Sequence, residues 1–159
     1  MRQRGVTLIQ MLFALAVAGL LTQLGMPAYA KLSDDLHRAA AARDLAQTLR
    51  SARSHAMLQS QPVLVRPLES DWGKGWRVLL EHNQQVLREH RFTRPMKIAG
   101  NTDGQVKFSA LGIPVGRLGA TISVCEGQST NSKYRVVISR AGRVDLRTDE
   151  KTDSLCAGP

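Results

Sequence analysis

The chain has 159 residues, 43% of them hydrophobic, with 22 Lys and Arg against 13 Asp and Glu, a formal charge of +9 at neutral pH. This length holds one modest domain with an appendage and excludes a multidomain enzyme. The basic excess, with an isoelectric point near 10.4, favours polyanionic partners such as nucleic acid or an anionic membrane surface, although a merely soluble basic surface has the same composition.

No charged side chain occurs from Val6 to Ala30, where Leu, Ala, Val, Met and Phe dominate. As a helix, such a segment crosses about 30 Å of hydrocarbon. Pro27, preceded by Gly19 and Gly25, is expected to bend or loosen it. Further on, Leu32, Leu36, Ala39, Leu45, Leu49, Ala52 and Ala56 recur near helical spacing. Arg38, Arg43, Asp44, Arg50 and Arg53 fall largely elsewhere on the wheel, and the arginines read as its solvent-facing or neighbour-facing side. The economical reading is one helix, all-apolar over 6–30 and amphipathic over 31–61, stopped by Pro62.

After Pro62 the pattern changes to short β-rich runs separated by Gly, Pro, Asn and Ser. Strands are predicted near Val63 to Arg66, Gly75 to Glu81, Gln85 to His90, Gln105 to Ser109, Thr121 to Cys125, Tyr134 to Ser139 and Arg143 to Arg147. His82-Asn83-Gln84 reads as a hairpin connection, and Asn101 to Gly104 and Gly112 to Gly119 as turns and loops. The predicted class is α+β, a long N-terminal helix followed by a mostly antiparallel β head over 62–159.

The last hairpin allows a closer argument. Tyr134, Val136 and Ile138 share one face of their strand, and Val144 and Leu146 form the apolar face of the next. A two-residue turn at Ala141-Gly142 would set Ile138 opposite Asp145 and mix the faces. A three-residue connection, Arg140-Ala141-Gly142 with Gly142 left-handed, instead aligns Ile138 with Val144 and Val136 with Leu146. The outer face then carries Arg135, Arg143 and Arg147, with Arg140 at the turn and Lys133 and Lys151 beyond.

Cys125 and Cys156 are the two cysteines of a chain with an export-like N-terminus, so one disulfide is expected. Closing that loop restricts the unfolded chain by roughly 3 to 4 kcal/mol. His37, His55, His82 and His90 lack metal-ligand spacing and read as surface residues. Gly73-Lys74-Gly75 lacks the rest of a phosphate loop. Trp76 alternates with Val78 and Leu80 and reads as core, whereas Trp72 stays open between core and base stacking. No nucleophile, base and orienting partner stand out, so the expectation is a non-enzyme without metal or cofactor.

The first residues, MRQRGVTLIQ, admit three explanations: an uncleaved anchor, a secretory signal cut at Ala28-Tyr29-Ala30, or processing at Gly5. Gly5-Val6-Thr7-Leu8-Ile9 followed by Gln10 resembles the prepilin site of type IV pilins and pseudopilins. There a dedicated peptidase cuts after the glycine and methylates the new N-terminus. The resemblance implies a leader over 1–5, cleavage after Gly5 and N-methylation of Val6. The family usually has Glu where Gln10 stands; Gln10 cannot neutralise a neighbour's terminal amine, which implies a minor or tip-located subunit.

Gly75-Trp76-Arg77-Val78, Gln105-Val106-Lys107-Phe108-Ser109-Ala110-Leu111-Gly112, Cys125 and Val136-Val137-Ile138-Ser139-Arg140-Ala141-Gly142-Arg143-Val144 together resemble the GspH/FimT family of minor pilins and pseudopilins. The resemblance implies a single-pass inner-membrane protein with a periplasmic head that joins a pilus or secretion pseudopilus. Its implied partners are other major and minor pilins, the prepilin peptidase and the inner membrane. For some family members it also implies non-specific DNA binding during natural transformation, through a Gly-Arg-x-Arg element near the C-terminus. Here Gly142 and Arg143 match that element and Asp145 takes the second arginine's place, so the candidate DNA contacts are Arg143, Arg147, Arg135, Arg140 and Lys133. The alternative role is a structural or priming subunit without DNA binding.

Overall fold

The computed structural model describes residues 7–116, 119–127, 129–149 and 151–157. The chain divides into two compact units, residues 1–37 and 38–159. One helix, α1 (Leu8–Gln59), supplies most of the first and the opening part of the second.

Gln10 caps the start of α1 from within: the Thr7 N–H donates to Gln10 Oε1 at 3.0 Å, while the Gln10 N–H donates to the Thr7 carbonyl in the first turn. The helix continues through Pro27. In the first unit Leu8, Ile9, Leu12, Phe13, Leu20 and Leu21 are all exposed, as are Leu32 and Leu36, which the helical spacing had grouped with the buried stripe. In the second unit Ala39, Ala42, Leu45, Ala46, Leu49, Ala52 and Ala56 are buried. The helix ends as Ser60 adopts φ 50° and the Gln61 N–H reaches back to the Ala56 carbonyl. Pro62 could not have continued the ladder.

Ten strands follow among the described residues: β1 (Val63–Leu68), β2 (Asp71–Leu80), β3 (Val86–Arg91), β4 (Ile98–Gly100), β5 (Val106–Phe108), β6 (Pro114–Val115), β7 (Ala120–Cys125), β8 (Asn131–Ile138), β9 (Val144–Arg147) and β10 (Lys151–Thr152). They form two antiparallel sheets, one ordered β3-β2-β1-β5-β6 and the other β10-β8-β7-β4 with β9 also paired to β8. All seven expected strands are present. β4, β6 and β10 are additional, and with two or three residues each they show no alternation that a sequence pattern could reveal. β6 lies inside the stretch read as loop; Pro114 is accommodated there because β6 is an edge strand.

The core joins the buried face of α1 to Val63, Val65, Trp76, Val78 and Leu80 of the first sheet and Ile122, Val124, Val136 and Ile138 of the second. Trp76 is buried as expected, and its Nε1–H donates to Thr48 Oγ1 at 3.2 Å. Trp72 is also buried, which leaves it no face for base stacking. His90 departs from the surface reading: its ring stacks on Trp76 with centroids 4.7 Å apart and meets Phe92 edge-on. β3 is an outer strand, but the Trp76–His90 pairing directs this one side chain at the indole.

Candidate nucleic-acid interface

The terminal hairpin has the register that the apolar faces demand. Ile138 pairs with Val144, Val136 with Leu146 and Arg135 with Arg147. Its turn closes through Ser139 N–H to Arg143 O at 2.8 Å and Gly142 N–H to Ser139 O at 2.9 Å. Gly142 has φ 81°, and a Cβ placed there would lie 2.1 Å from the Gly112 carbonyl oxygen. Glycine is therefore required on both conformational and steric grounds.

Tyr134, Val136, Ile138 and Val144 are buried, leaving the alternate positions for the outer face. Arg140 and Arg147 are exposed. Arg143 is also solvent-facing, with 77% of its side chain accessible, and its Nε donates to Asp145 Oδ2 at 3.0 Å. Arg135 is more enclosed, at 17%, and its Nη2 lies 2.5 Å from Asp149 Oδ2. Lys133 Nζ sits 5.5 Å from the centroid of the Tyr134 ring. The five candidates thus share one hairpin but differ in exposure, and Arg135 and Arg143 are each paired with an aspartate.

Sequence reasoning placed Asp145 beside Arg143 but missed Asp149 and Asp153. Arg135 pairs across to Ser123 of β7, whose Oγ donates to Asp153 Oδ2 at 2.6 Å. Asp149 and Asp153 belong to the C-terminal segment, which the Cys125–Cys156 disulfide ties to the end of β7. Lys97 reinforces that attachment by donating from Nζ to the Cys156 carbonyl at 2.6 Å. Two signals were available in the sequence: strand alternation onward from Arg147 puts Asp149 on the outer side of the hairpin, and the cysteine pairing brings Asp153, just before Cys156, to β7.

Two helix arginines that sequence reasoning assigned to solvent or neighbours instead serve this hairpin. Arg50 Nε donates to the Val144 carbonyl at 3.1 Å. Arg53 donates from Nε to Gly112 O at 2.9 Å and from Nη2 to Ala141 O at 3.2 Å. Turn carbonyls lack ladder partners, and a guanidinium reaching from α1 satisfies them. Gly5 and Val6, the expected processing site, lie outside the described residues.

The apolar helix, the two antiparallel sheets and the disulfide can now be set beside known proteins. Among curated protein sequences there is no match. Two crystal structures of the type IV minor pilin FimU from Pseudomonas aeruginosa are similar in fold, each with a TM-score of 0.64. One is 24% identical over 79% of this chain and 98% of FimU, the other 28% identical over 74% and 98%. The minor pseudopilin EpsH from the type II secretion system of Vibrio cholerae is similar over 70% of this chain and 94% of its own, at 14% identity and a TM-score of 0.51. The model of the type II transport protein GspH matches residues 41–142. With more than half of its length covered by that match and with the fold of a type IV minor pilin, the chain belongs to the GspH family of minor pilins and pseudopilins.

Proposed function

We propose that the protein is a minor type IV pilin that captures DNA without sequence preference at the pilus and assists its uptake in natural transformation. The observation that carries this reading is the outer side of the terminal hairpin, where Arg147 and Arg135 are register partners and Arg140 and Arg143 flank the turn. Guanidinium groups suit phosphate because their planar N–H donors match its oxygens, and a row of them follows a backbone irrespective of base sequence. Lys133 adds charge on the same strand face. The apolar part of α1, whose Leu8, Ile9, Leu12, Phe13, Leu20 and Leu21 are exposed, is the segment that would hold the prepilin in the inner membrane and pack among other pilins after assembly. Processing would occur by cleavage after Gly5 and methylation of Val6.

The experiment is an electrophoretic shift of a mixed-sequence duplex by the detergent-solubilised full chain, at low and physiological salt, with Arg143→Ala and Arg147→Ala beside it. A salt-sensitive shift weakened by both substitutions is expected; no shift at low salt would remove DNA from the function. Mass spectrometry of the mature N-terminus tests the processing, with methylated Val6 expected and Lys31 diagnostic of a secretory signal.

A specific observation favours a second reading, in which the protein is a structural or priming subunit. Arg135 and Arg143 are each already paired with an aspartate, as on a charge-balanced face that meets neighbouring subunits rather than phosphate.

A further inference from the structure

The terminal turn has a twin. In Ser139-Arg140-Ala141-Gly142-Arg143 the serine N–H donates to the carbonyl of the fifth residue, the glycine N–H donates back to the serine carbonyl, and the fifth residue's N–H donates to the serine Oγ at 3.0 Å. Ser109-Ala110-Leu111-Gly112-Ile113 makes the same three bonds, the last at 3.3 Å. The glycines are left-handed in both, with φ 81° for Gly142 and 72° for Gly112. The two turns pack glycine against glycine, so closely that a Cβ on Gly142 would collide with the Gly112 carbonyl and approach Arg53 Nε at 2.9 Å.

One side chain joins them. Arg53 donates to Gly112 O in the first turn and to Ala141 O in the second, while Arg50, three residues earlier on α1, holds Val144 O where β9 begins. Each turn closes on itself through local bonds, and none of those bonds ties it to the other. The diverging N–H groups of one planar guanidinium supply that tie, which a lysine ammonium, a single point charge, does not do with the same geometry.

We propose that Arg53 is a positioning residue for DNA capture, acting through the paired turns to hold Arg140 and Arg143 where they meet phosphate. This rests on the reading that the hairpin captures DNA. Arg140 immediately precedes the residue whose carbonyl Arg53 holds, and Arg143 follows Gly142. Ordering both arginines before binding spares the loop-ordering cost that a mobile turn incurs on contact.

The test uses the detergent-solubilised full chain as wild type, Arg53→Lys, Arg53→Gln and Arg147→Ala, titrated against a mixed-sequence DNA duplex across a salt series. Amide hydrogen exchange is followed in parallel at Gly112, Gly142 and the β7 core. Both Arg53 variants are expected to lose affinity about threefold to tenfold, with a salt slope lower by about one or more. Exchange at Gly142 and Gly112 should accelerate by about tenfold while β7 stays protected, which also shows that the variants are folded. Recovery of wild-type affinity by Arg53→Lys would mean that Arg53 acts by its charge alone and would overturn the proposal. Unchanged exchange at both glycines would overturn it equally. If neither wild type nor Arg147→Ala binds duplex at low salt, the DNA reading and this role for Arg53 fall together, and the exchange data still decide whether Arg53 holds the turns.

Discussion

Asp145 Oδ2 accepts a hydrogen bond from Arg143 Nε at 3.0 Å on the solvent side of β9. The carboxylate occupies an arginine donor and repels phosphate at the same place. Asp145→Asn should therefore raise affinity for duplex DNA and steepen its salt dependence by about one unit of slope. A salt titration by fluorescence anisotropy measures both quantities, and a variant indistinguishable from wild type would show that Arg143 does not contact DNA.

The Cys125–Cys156 bond closes a separation of 31 residues and holds the segment that delivers Asp153 to Ser123. Replacing both cysteines by serine should destabilise the second unit by about 3 kcal/mol through the freed unfolded chain. Urea unfolding of the detergent-solubilised chain, followed by the fluorescence of the buried Trp72 and Trp76, reports the change.

Thr48→Val keeps the volume beside Trp76 but leaves the buried indole N–H without its acceptor. The expected cost is about 1 to 3 kcal/mol, the desolvation penalty of an unmet donor. The same unfolding measurement applies, and a loss below a few tenths of a kcal/mol would mean that water replaces the hydroxyl.

Ser60 closes α1 at φ 50°, a conformation costly for a residue with a Cβ. Ser60→Gly should stabilise the helix end by up to about 1 kcal/mol, the relief outweighing the extra freedom of the unfolded chain. A higher thermal midpoint by calorimetry is the expected result.

Glu69 stands in the turn between β1 and β2, with Lys74 Nζ at 2.6 Å and Arg91 Nη1 at 3.6 Å. The hydrogen bond and charge of Lys74, with a smaller contribution from Arg91, hold the Glu69 carboxyl below its ordinary value of 4.5. A depressed folded value means that the ion pair stabilises above the unfolded value and loses its effect as the pH falls through the folded one. Glu69→Gln should therefore lower stability slightly at neutral pH and make no difference in strong acid. Comparing urea midpoints of variant and wild type across that range tests the sign.

Much of the architecture was legible because it rests on periodicities. The apolar run after Val6, the helical recurrence from Ala39 to Ala56, the continuous apolar run of β1 and the alternation in β2, β7 and β8 are local patterns with local consequences. The terminal hairpin was legible down to its register, since only a three-residue connection kept Val136, Ile138, Val144 and Leu146 on one face. The stacking of His90 on Trp76 was not, because it depends on which strand lies beside β2 and in what alignment. Nor were the short strands β4, β6 and β10, which exist through their partners rather than their own sequence.

The candidate site divides along the same line. Sequence alone determined that Arg135, Arg143 and Arg147 share a strand face, that Arg140 occupies the turn and that Asp145 lies among them, because side-chain direction along a hairpin follows from alternation and turn length. Only the tertiary structure decided which of these charges are engaged. Asp149 reaches Arg135 because β9 and β10, on either side of it, both pair with β8, and Arg53 reaches Gly112 and Ala141 from 59 and 88 residues away because α1 packs beneath both turns. Contacts between residues so distant in the chain depend on how helix and sheets meet, a relation that no local pattern of residues encodes.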